Sequence, residues 1–324
     1  MSRQTSFAGL TLRNPIIAAS SSRTNDASKN FALQEAGVGA IVLKSLFEEN
    51  IINQTESVAD SAQHTEAMDY AHGYLRSHEL SEYIQLIKDS KAKCEIPIIA
   101  SVNCISLGEW TEFAKLIEEA GADALELNIM GVVSDVMYEA GEFEQRHVDI
   151  AKAVVNTITI PVIVKLGAQL TNPVVVASKL KACGVKGVVM FNRMYQSDID
   201  VESMEYVPGA IFSSAADLAQ PLRWVGITSA KVKGLDLALS GGVQSGDDVV
   251  KGILAGASAV EVCSVLYKEG NGWVAKALDA VDAWQEAHSY AEVSEYIGNM
   301  NASGSEEREK LVRSQFLRHF GSAQ

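Results

Sequence analysis

Two lysines stand at the ends of apolar, β-branched segments and are the first residues of this sequence that could do chemistry. Lys44 ends the segment AIVLK, and Lys165 stands in PVIVKL. Burying an unpaired ammonium group is costly, so a lysine carried into the interior needs an anionic or electron-rich partner. A phosphate, a carboxylate or an electron-rich ring would serve, although either lysine could instead extend along the rim towards water. The pair predicts a site for an anionic or ring-shaped ligand.

Three asparagines occupy similar positions at the ends of apolar segments. They are Asn103, Asn128 and Asn192. Each alone could equally be structural, but an amide offers a donor and an acceptor together, which suits a flat ring with a mixed hydrogen-bonding edge. Three such amides at the same end of the predicted strands favour a ring-binding site.

A glycine-rich stretch carries the next chemical signal, and it reads LALSGGVQSGDDVVKGILAGASAVEVCS. Gly241 and Gly242 leave a predicted strand, and a helix is predicted to begin near Asp247. Glycines let backbone amides approach a phosphate, and a helix N-terminus favours an anion without any basic side chain. Cys263 and Ser264 follow the next strand, where barrels commonly complete a phosphate site. The alternative is that these glycines only allow tight turns.

Eight short apolar segments must position these residues. They are PIIAA (15–19), GAIVLK (39–44), PIIASV (97–102), ALELNI (124–129), PVIVKL (161–166), GVVMF (187–191), LDLALS (235–240) and AVEVC (259–263). Their continuous apolar character is typical of parallel strands buried on both faces. Helical patterns lie between most of them, which predicts an α/β fold of the (β/α)8 TIM barrel type, with the site at the C-terminal strand ends. An open doubly wound sheet is the alternative, but no G-x-G-x-x-G motif follows the first strand.

The helical patterns between strands are amphipathic and end at glycines. The segment EWTEFAKLIEEAGADA places Phe113, Leu116 and Ile117 on one helix face, with Gly121 as its stop. The segments NPVVVASKLKACGVKG and DDVVKGILAGASA repeat the scheme. These patterns favour helices that cover the outside of the barrel.

We predict a single domain over residues 1–324. Insertions are predicted at about 46–80 and 193–222, because these connections are long for a compact barrel and such loops usually cover a site. A helical C-terminal extension is predicted from about residue 270.

Composition excludes several classes of protein. The 324 residues include 27 lysines and arginines against 41 aspartates and glutamates, a formal net charge of −14, whereas a nucleic-acid binder is expected to carry the opposite sign. No apolar run approaches the roughly 20 residues of a membrane-spanning helix. The N-terminus lacks the apolar core of a signal peptide. We therefore expect a cytoplasmic protein that binds neither nucleic acid nor membrane.

Cysteine and histidine spacing gives no metal site. The cysteines are scattered without a C-x-x-C pair, which suggests neither zinc nor a disulfide framework, and they are Cys94, Cys104, Cys183 and Cys263. His64, His72 and His78 fall in the first insertion without H-E-x-x-H spacing. His72 could contact a ligand as part of a lid.

Several motifs occur in a fixed order. They are NPIIAASS, GAIVLKS, IIASVNC, EEAGADALELN, PVIVKL, MFN, SGGVQSGDD and LAGASAVEVCSVLYKEG. This order resembles the dihydroorotate dehydrogenase family, including the related flavin domain of dihydropyrimidine dehydrogenase, over about residues 5–290. GADALELN and VCS are especially similar to the dihydropyrimidine branch. The resemblance implies a barrel that binds FMN non-covalently.

The resemblance also implies roles for individual residues. It implies lysine contacts to the isoalloxazine ring or its surroundings, asparagine contacts to the substrate ring, and a phosphate cradle after strands seven and eight. A cation beside the N1/O2 edge of the ring would stabilise its anionic reduced form. The predicted cofactor contacts are Ala19, Ser20, Lys44, Ser45, Asn103, Asn128, Lys165, Asn192, Gly241, Gly242, Cys263 and Ser264. The predicted substrate contacts are Lys44, Asn128 and Asn192, and Lys165 is also a catalytic candidate.

The sequence departs from the family pattern directly after ELN. The family continues with a serine and a cysteine, and the cysteine is the base that removes a proton from the dihydropyrimidine. Here Met130 and Gly131 occupy those two positions, and Val132 and Val133 replace a Pro-Asn pair. A positioned base contributes about 10²–10⁴-fold to rate. Ser134 could enter the site if the loop is re-routed, or it could be a solvent-facing turn residue.

The family's substrate loop departs as well, since only Gly73 and Leu75 in DYAHGYLRS resemble it. We nevertheless predict an FMN-dependent oxidoreductase that oxidises a dihydropyrimidine, by default dihydroorotate to orotate, with hydride transfer to FMN. A homodimer is expected. The alternatives are a flavin oxidoreductase for a different substrate, a flavin-binding protein of low activity, and a non-redox phosphate-binding lyase or synthase that uses Lys165.

Overall fold

All eight predicted strands are present. The computed structural model describes the backbone of residues 1–47, 65–103, 110–304, 306 and 311–312, and their side chains except those of 65–77 and 110. The strands are Ile16–Ala18 (β1), Ala40–Val42 (β2), Ile98–Asn103 (β3), Ala124–Ile129 (β4), Val162–Gly167 (β5), Gly187–Asn192 (β6), Asp236–Ser240 (β7) and Ala259–Val262 (β8). Each pairs in parallel with its neighbours, and pairing of β2 with β3 closes the ring. The (β/α)8 TIM barrel is confirmed, and the open sheet is excluded.

Helices surround the barrel in the expected alternation. They are Ala27–Glu35 (α1), Thr65–Lys93 (α2), Trp110–Glu119 (α3), Glu142–Val155 (α4), Pro173–Ala182 (α5), Ala219–Lys231 (α6), Gly246–Ala255 (α7), Ser264–Glu269 (α8) and Trp273–Ala287 (α9). Short 3₁₀ helices span Ala215–Leu218 and Val293–Glu295. Within the described residues, no helix is both long and apolar enough to cross a membrane.

The interior of the barrel is apolar at its N-terminal end. Inward side chains of the strands, such as Ile99 and Ile163, form one buried cluster with Phe7 and Leu12. These last two belong to an antiparallel hairpin of Thr5–Phe7 and Leu10–Leu12. Ala8 N donates to the carboxylate of Asp236, the first residue of β7, at 2.8 Å, so the hairpin closes the N-terminal end. Only the opposite end of the barrel is left for a ligand.

One helix-face prediction is wrong in part. Phe113 and Ile117 of α3 are buried at 6% and 0% exposure, but Leu116 is 41% exposed. Ala114 is buried too, so the buried stripe of α3 is centred near Ile117. At 100° per residue Leu116 lies about 100° from this centre, outside the stripe.

The two predicted insertions have structure of their own. The first contains a short strand, Leu46–Phe47, that pairs with β3, and it continues into α2. The second contains an antiparallel hairpin, Ser197–Asp200 with Glu205–Pro208, and the first 3₁₀ helix. In the predicted C-terminal extension, α9 is present, whereas most of the later segment EEREKLVRSQFLRHF lies outside the described residues.

Candidate active site

A cavity of about 590 Å³ opens at the C-terminal ends of the strands and receives residues from all eight of them. The twelve predicted cofactor contacts all lie on its wall: Ala19, Ser20, Lys44, Ser45, Asn103, Asn128, Lys165, Asn192, Gly241, Gly242, Cys263 and Ser264. Strand register explains this convergence, because Asn103 pairs with Asn128, which in turn pairs with Lys165. Residues far apart in sequence therefore meet at one level of the barrel.

The two lysines take different positions. Lys44 is exposed at the rim of the cavity, whereas Lys165 is 6% exposed inside the barrel. Lys165 Nζ forms an ion pair with Glu261 and lies 4.0 Å from Oε1 of Glu126. Burial favours the neutral amine, but Glu261 and Glu126 outweigh it and raise the pKa of Lys165. The anionic partner that the sequence required for Lys165 is supplied by the protein itself.

Glu126 is a buried acid beside this ion pair. It is 1% exposed, and neither of its carboxyl oxygens has a hydrogen-bond partner among the described residues. Burial raises the pKa of Glu126 well above its ordinary value, the negative charge of Glu261 raises it further, and Lys165 opposes both. The barrel interior therefore holds two acidic side chains, Glu126 and Glu261, beside the basic Lys165.

Asn128 and Asn192 form a hydrogen-bonded pair across the cavity wall. Asn192 Nδ2 donates to Asn128 Oδ1 at 2.8 Å. This contact leaves the amide N–H group of Asn128 and the carbonyl oxygen of Asn192 for a ligand. Asn103 is 6% exposed, and its Oδ1 has no hydrogen-bond partner within the described part of the chain. Together these amides offer both a donor and acceptors to a polar ring.

A chain of serine hydroxyls runs from the cavity wall into the barrel. Ser20 Oγ lies 3.0 Å from Ser45 Oγ, which lies 2.8 Å from Ser101 Oγ. Tyr83 of α2 fixes the backbone of Ser101, because its hydroxyl donates to Ser101 O at 2.9 Å and accepts from Ser101 N at 2.6 Å. The side chain of Ser101 is thereby left for Ser45.

The predicted phosphate cradle follows β7, where two glycines form a turn on the cavity wall. Gly241 and Gly242 have φ of +108° and +76°, and a Cβ at Gly242 would come within 2.1 Å of Leu218 N, so this backbone requires glycine. Helix α7 begins at Gly246, but the side chains of Ser245 and Asp248 already cap its first turn. The first residues of α7 do not line the cavity, and a phosphate contact by this helix end stays a prediction. The Gly241–Gly242 turn and the neighbouring Ser264 remain on the cavity wall.

Cys263, the residue before α8, lies on the same side of the cavity. Burial raises the pKa of its thiol, although the nearby Lys165 opposes the shift. The thiol is therefore neutral at neutral pH.

The segment after β4 contrasts with these strand ends. Met130 lines the main cavity, but Ser134 is exposed and does not line it. Gly131 lines an adjoining cavity of about 250 Å³, and a Cβ there would meet only the ring of Phe143, at 3.6 and 3.8 Å. The structure thus brings together every predicted site residue except Ser134.

His147 supports this segment from below. The ring is 0% exposed, with Nδ1 2.7 Å from Phe143 O and Nε2 3.1 Å from Ile129 O, the last residue of β4. Burial lowers the pKa of His147, against the effect of the two carbonyl oxygens. A neutral imidazole carries a single N–H group, so at neutral pH the ring donates to one of these two carbonyl oxygens.

Some predictions concern atoms outside the described part of the chain. They include the proposed lid contact of His72, whose side chain is not described, and His64 and Cys104, which lie in undescribed segments. Among the described residues, no group of histidines, cysteines or acids is arranged to hold a metal ion.

Sequence reasoning missed four interior residues: Ser101, Glu126, Glu261 and Tyr83. A signal was available for three of them, since Ser101, Glu126 and Glu261 each stand two residues before a predicted site residue, Asn103, Asn128 and Cys263 respectively. Strand side chains alternate, so residues two apart share a face. Tyr83 gives no such signal, because it reaches the site from the covering helix α2.

Comparison with known proteins agrees with the fold. The family model for dihydroorotate dehydrogenase matches residues 2–283. A putative dihydroorotate dehydrogenase A (fumarate) of Aeropyrum pernix is 27% identical, covering 90% of this chain and 95% of that protein.

Two further relatives are named dihydroorotate dehydrogenase B (NAD(+)), catalytic subunit. The protein of Thermoplasma volcanium is 26% identical over 91% of this chain and 97% of its own length. The protein of a Geobacillus species is 30% identical over 78% and 82%. With the match of the family model across most of its length, the chain belongs to the dihydroorotate dehydrogenase family and is an oxidoreductase acting on CH–CH groups.

Proposed function

We propose that this protein is an FMN-dependent oxidoreductase that oxidises a dihydropyrimidine, by default dihydroorotate to orotate, with hydride transfer to FMN. The observation that carries the proposal is the convergence of the twelve predicted contacts on one cavity at the C-terminal end of the barrel. Strand register and the fold bring these residues together from distant parts of the sequence. Their convergence therefore supports a site of the family's type rather than a cavity formed by chance.

The residues present fit FMN. The cavity of about 590 Å³ lies within the range of about 300–1,000 Å³ that is usual for cofactor and ligand sites. The Gly241–Gly242 turn and Ser264 would hold the phosphate, and the unpartnered Oδ1 of Asn103 would accept from a ring N–H. Ala19, Ser20 and Ser45 would contact the ring from β1 and β2.

FMN, when bound, would supply a two-electron acceptor for the hydride. The chain's own residues would position the substrate and keep water out. The Asn128–Asn192 pair presents one N–H group and one carbonyl oxygen, which match a neighbouring C=O and N–H of a dihydropyrimidine ring. Lys44 at the rim would neutralise an anionic substituent of the substrate.

The lyase or synthase alternative is less well supported. A lysine nucleophile must lose its proton, and enzymes obtain this by lowering the lysine pKa through burial or nearby cations. Glu261 and Glu126 do the opposite at Lys165, where burial is outweighed and the pKa is raised. A lysine held as an ammonium is suited to electrostatics rather than to Schiff-base chemistry.

A different substrate is the second candidate, and one observation favours it. Gly131 leaves space beside Phe143 in the adjoining cavity of about 250 Å³, which also shares Asn192 and Met130 with the main cavity. A substrate with a larger substituent than dihydroorotate would fit there.

Anaerobic mixing with dihydroorotate tests the choice of substrate. We expect the FMN-loaded protein to lose its flavin absorbance slowly, because no base stands at position 131. Gly131→Cys should speed this loss by about 10²–10⁴-fold. Gly131→Ala is the matched control, since it fills similar space without supplying a base. Flavin absorbance that persists in both the wild type and Gly131→Cys would exclude dihydroorotate and favour the larger substrate.

Assembly and location remain predictions. We propose a homodimer, because the hairpin of the second insertion exposes apolar side chains that a second copy would cover, including Val201, Met204 and Tyr206. Gel filtration with light scattering measures this, and a monomeric mass would contradict it. A cytoplasmic location also remains a prediction.

A further inference from the structure

Two carboxyl groups and one ammonium group lie close together and almost fully buried inside the barrel. Glu126 and Glu261 are 1% and 2% exposed, and Lys165 is 6% exposed. Lys165 pairs with Glu261 and lies 4.0 Å from Glu126 Oε1. With all three groups ionised, one negative charge would remain uncompensated inside the protein, which is strongly unfavourable. One proton shared by the two carboxyl groups removes that charge.

The carboxyl oxygens are free to exchange this proton. Both oxygens of Glu126 and Oε1 of Glu261 have no hydrogen-bond partner among the described residues. Both side chains also line the main cavity. Buried polar atoms are normally hydrogen-bonded, so three unpartnered carboxyl oxygens at one cavity are atoms that a ligand or a moving proton would use.

A chain of three hydrogen-bonded serine hydroxyls leads from the strand position beside Glu126 to the cavity wall. Ser101 is the register partner of Glu126 on the neighbouring strand. From Ser101 Oγ the chain continues to Ser45 Oγ at 2.8 Å and to Ser20 Oγ at 3.0 Å. A hydroxyl can donate and accept at the same time, so three in series can pass a proton along the chain. Ser20 is half-buried on the cavity wall, where the route ends.

We propose that Glu126 and Glu261 share one proton and exchange it with the cavity through Ser101, Ser45 and Ser20, so that the pair is an internal proton store. Its use in catalysis rests on the function proposed above. With the shared proton in place, Glu126, Glu261 and Lys165 together carry no net charge. The negative charge that a hydride would bring to bound FMN would then face the ammonium group of Lys165 with no second uncompensated anion beside it.

The charged and titratable neighbours support a shared proton. Burial and then Glu261 raise the pKa of Glu126, and Lys165 only partly offsets them. Burial raises the pKa of Tyr83, from α2, and of Cys263, at the end of β8, so both are neutral at neutral pH. Lys165, from β5, keeps its charge because its pKa is raised. Among these described neighbours the carboxyl pair is therefore the group that holds a movable proton.

Infrared spectroscopy of the protein without flavin tests the shared proton. At about pH 8, well above the ordinary glutamate pKa, we expect the C=O band of a protonated carboxylic acid. Glu126→Gln should abolish the band, and so should Glu261→Gln, because either variant leaves a single carboxylate paired with Lys165. Glu142→Gln, an exposed control, should keep it. A wild type without the band, or a band that both buried variants keep, would overturn the proposal.

The hydroxyl route is tested by transfer into D₂O. We expect Ser101→Ala to slow the isotope shift of the carboxyl band by about tenfold or more, because the chain is interrupted. Ser90→Ala is the matched control, since Ser90 is equally buried but bonds to Asn30 outside the route. Equal exchange rates in the wild type and Ser101→Ala would remove the route.

The two proposals fail in different ways. A carboxyl band in a protein that binds no FMN would leave the proton store standing and defeat the proposed function. A protein that binds FMN and is reduced by a dihydropyrimidine, but lacks the band, would defeat the proton store alone.

Discussion

The strand ends of the barrel and the segment that follows β4 are neighbours in the structure but differ in how they are built. The strand ends hold buried polar groups in fixed register, such as Asn128 beside Lys165. The segment at 132–137 is exposed throughout, and four of its side chains are apolar: Val132, Val133, Val136 and Met137. The strand ends carry the predicted binding groups, and the exposed segment directly follows Gly131, which stands where the resemblance implies the family's base. Substitutions in the exposed segment are expected to cost less stability than substitutions at the strand ends, because exposed side chains support little of the fold.

The largest expected effect on stability comes from removing the buried cation at the strand ends. Lys165→Met should destabilise the protein by about 3–5 kcal/mol, because it leaves buried carboxyl groups without their cation. Lys44→Met at the exposed rim is the matched control and should change stability by less than about 0.5 kcal/mol. Urea unfolding measures both. Equal losses of stability in the two variants would show that Lys165 contributes no more to stability than the exposed Lys44.

The second-largest effect compares two glycines: Gly242, after strand β7, and Gly131, directly before the exposed segment. Gly242→Ala should cost about 1–3 kcal/mol or more, since its Cβ would meet backbone at 2.1 Å and its φ is +76°. Gly131→Ala should cost little, because its Cβ meets only the Phe143 ring, at 3.6 Å or beyond. The two free energies of unfolding check this. A larger loss of stability for Gly131→Ala than for Gly242→Ala would contradict this expectation.

A pH-dependent effect concerns the support beneath the exposed segment. Burial lowers the pKa of His147 below its usual 6.5, so between the two values the unfolded chain binds more protons than the folded one. Stability should therefore fall as the pH falls below about 6.5, by up to about 1.4 kcal/mol per pH unit. His147→Gln should lose this part of the pH dependence. Unfolding curves at several pH values measure it, and an unchanged slope in the variant would contradict the assignment.

The smallest expected effect is at Ser134. In the position described, its hydroxyl is exposed and outside the cavity, so Ser134→Ala should leave the rate of flavin reduction by substrate unchanged within about twofold. Rapid-mixing absorbance gives this rate. A loss of about 10²-fold or more would show that the segment closes over the substrate and that Ser134 serves as the base predicted from sequence.

The strand ends could be predicted from the sequence, and the segment after β4 could not. Strand ends could be predicted, because a two-residue period and a C-terminal active-site face place residues such as Asn103 without any coordinates. Glu126 and Glu261 obey the same period and were missed because acids inside strands are not expected as a pair. The capping box of α7 has a sequence signature, since Ser245 and Asp248 are three residues apart, whereas the exposure of Leu116 depends on how α3 packs against the barrel. The segment after β4 has no regular sequence period, so its path could not be predicted.

The central claim is that the strand-end cavity binds FMN. The most direct test is the visible spectrum of the purified protein after incubation with FMN and gel filtration, with Lys165→Met run beside it. We expect the wild type to retain yellow flavin absorbance in about one-to-one amount and the variant to retain much less, because Lys165 is the buried cation of the cavity. A wild-type protein that emerges colourless and takes up no FMN would contradict the claim.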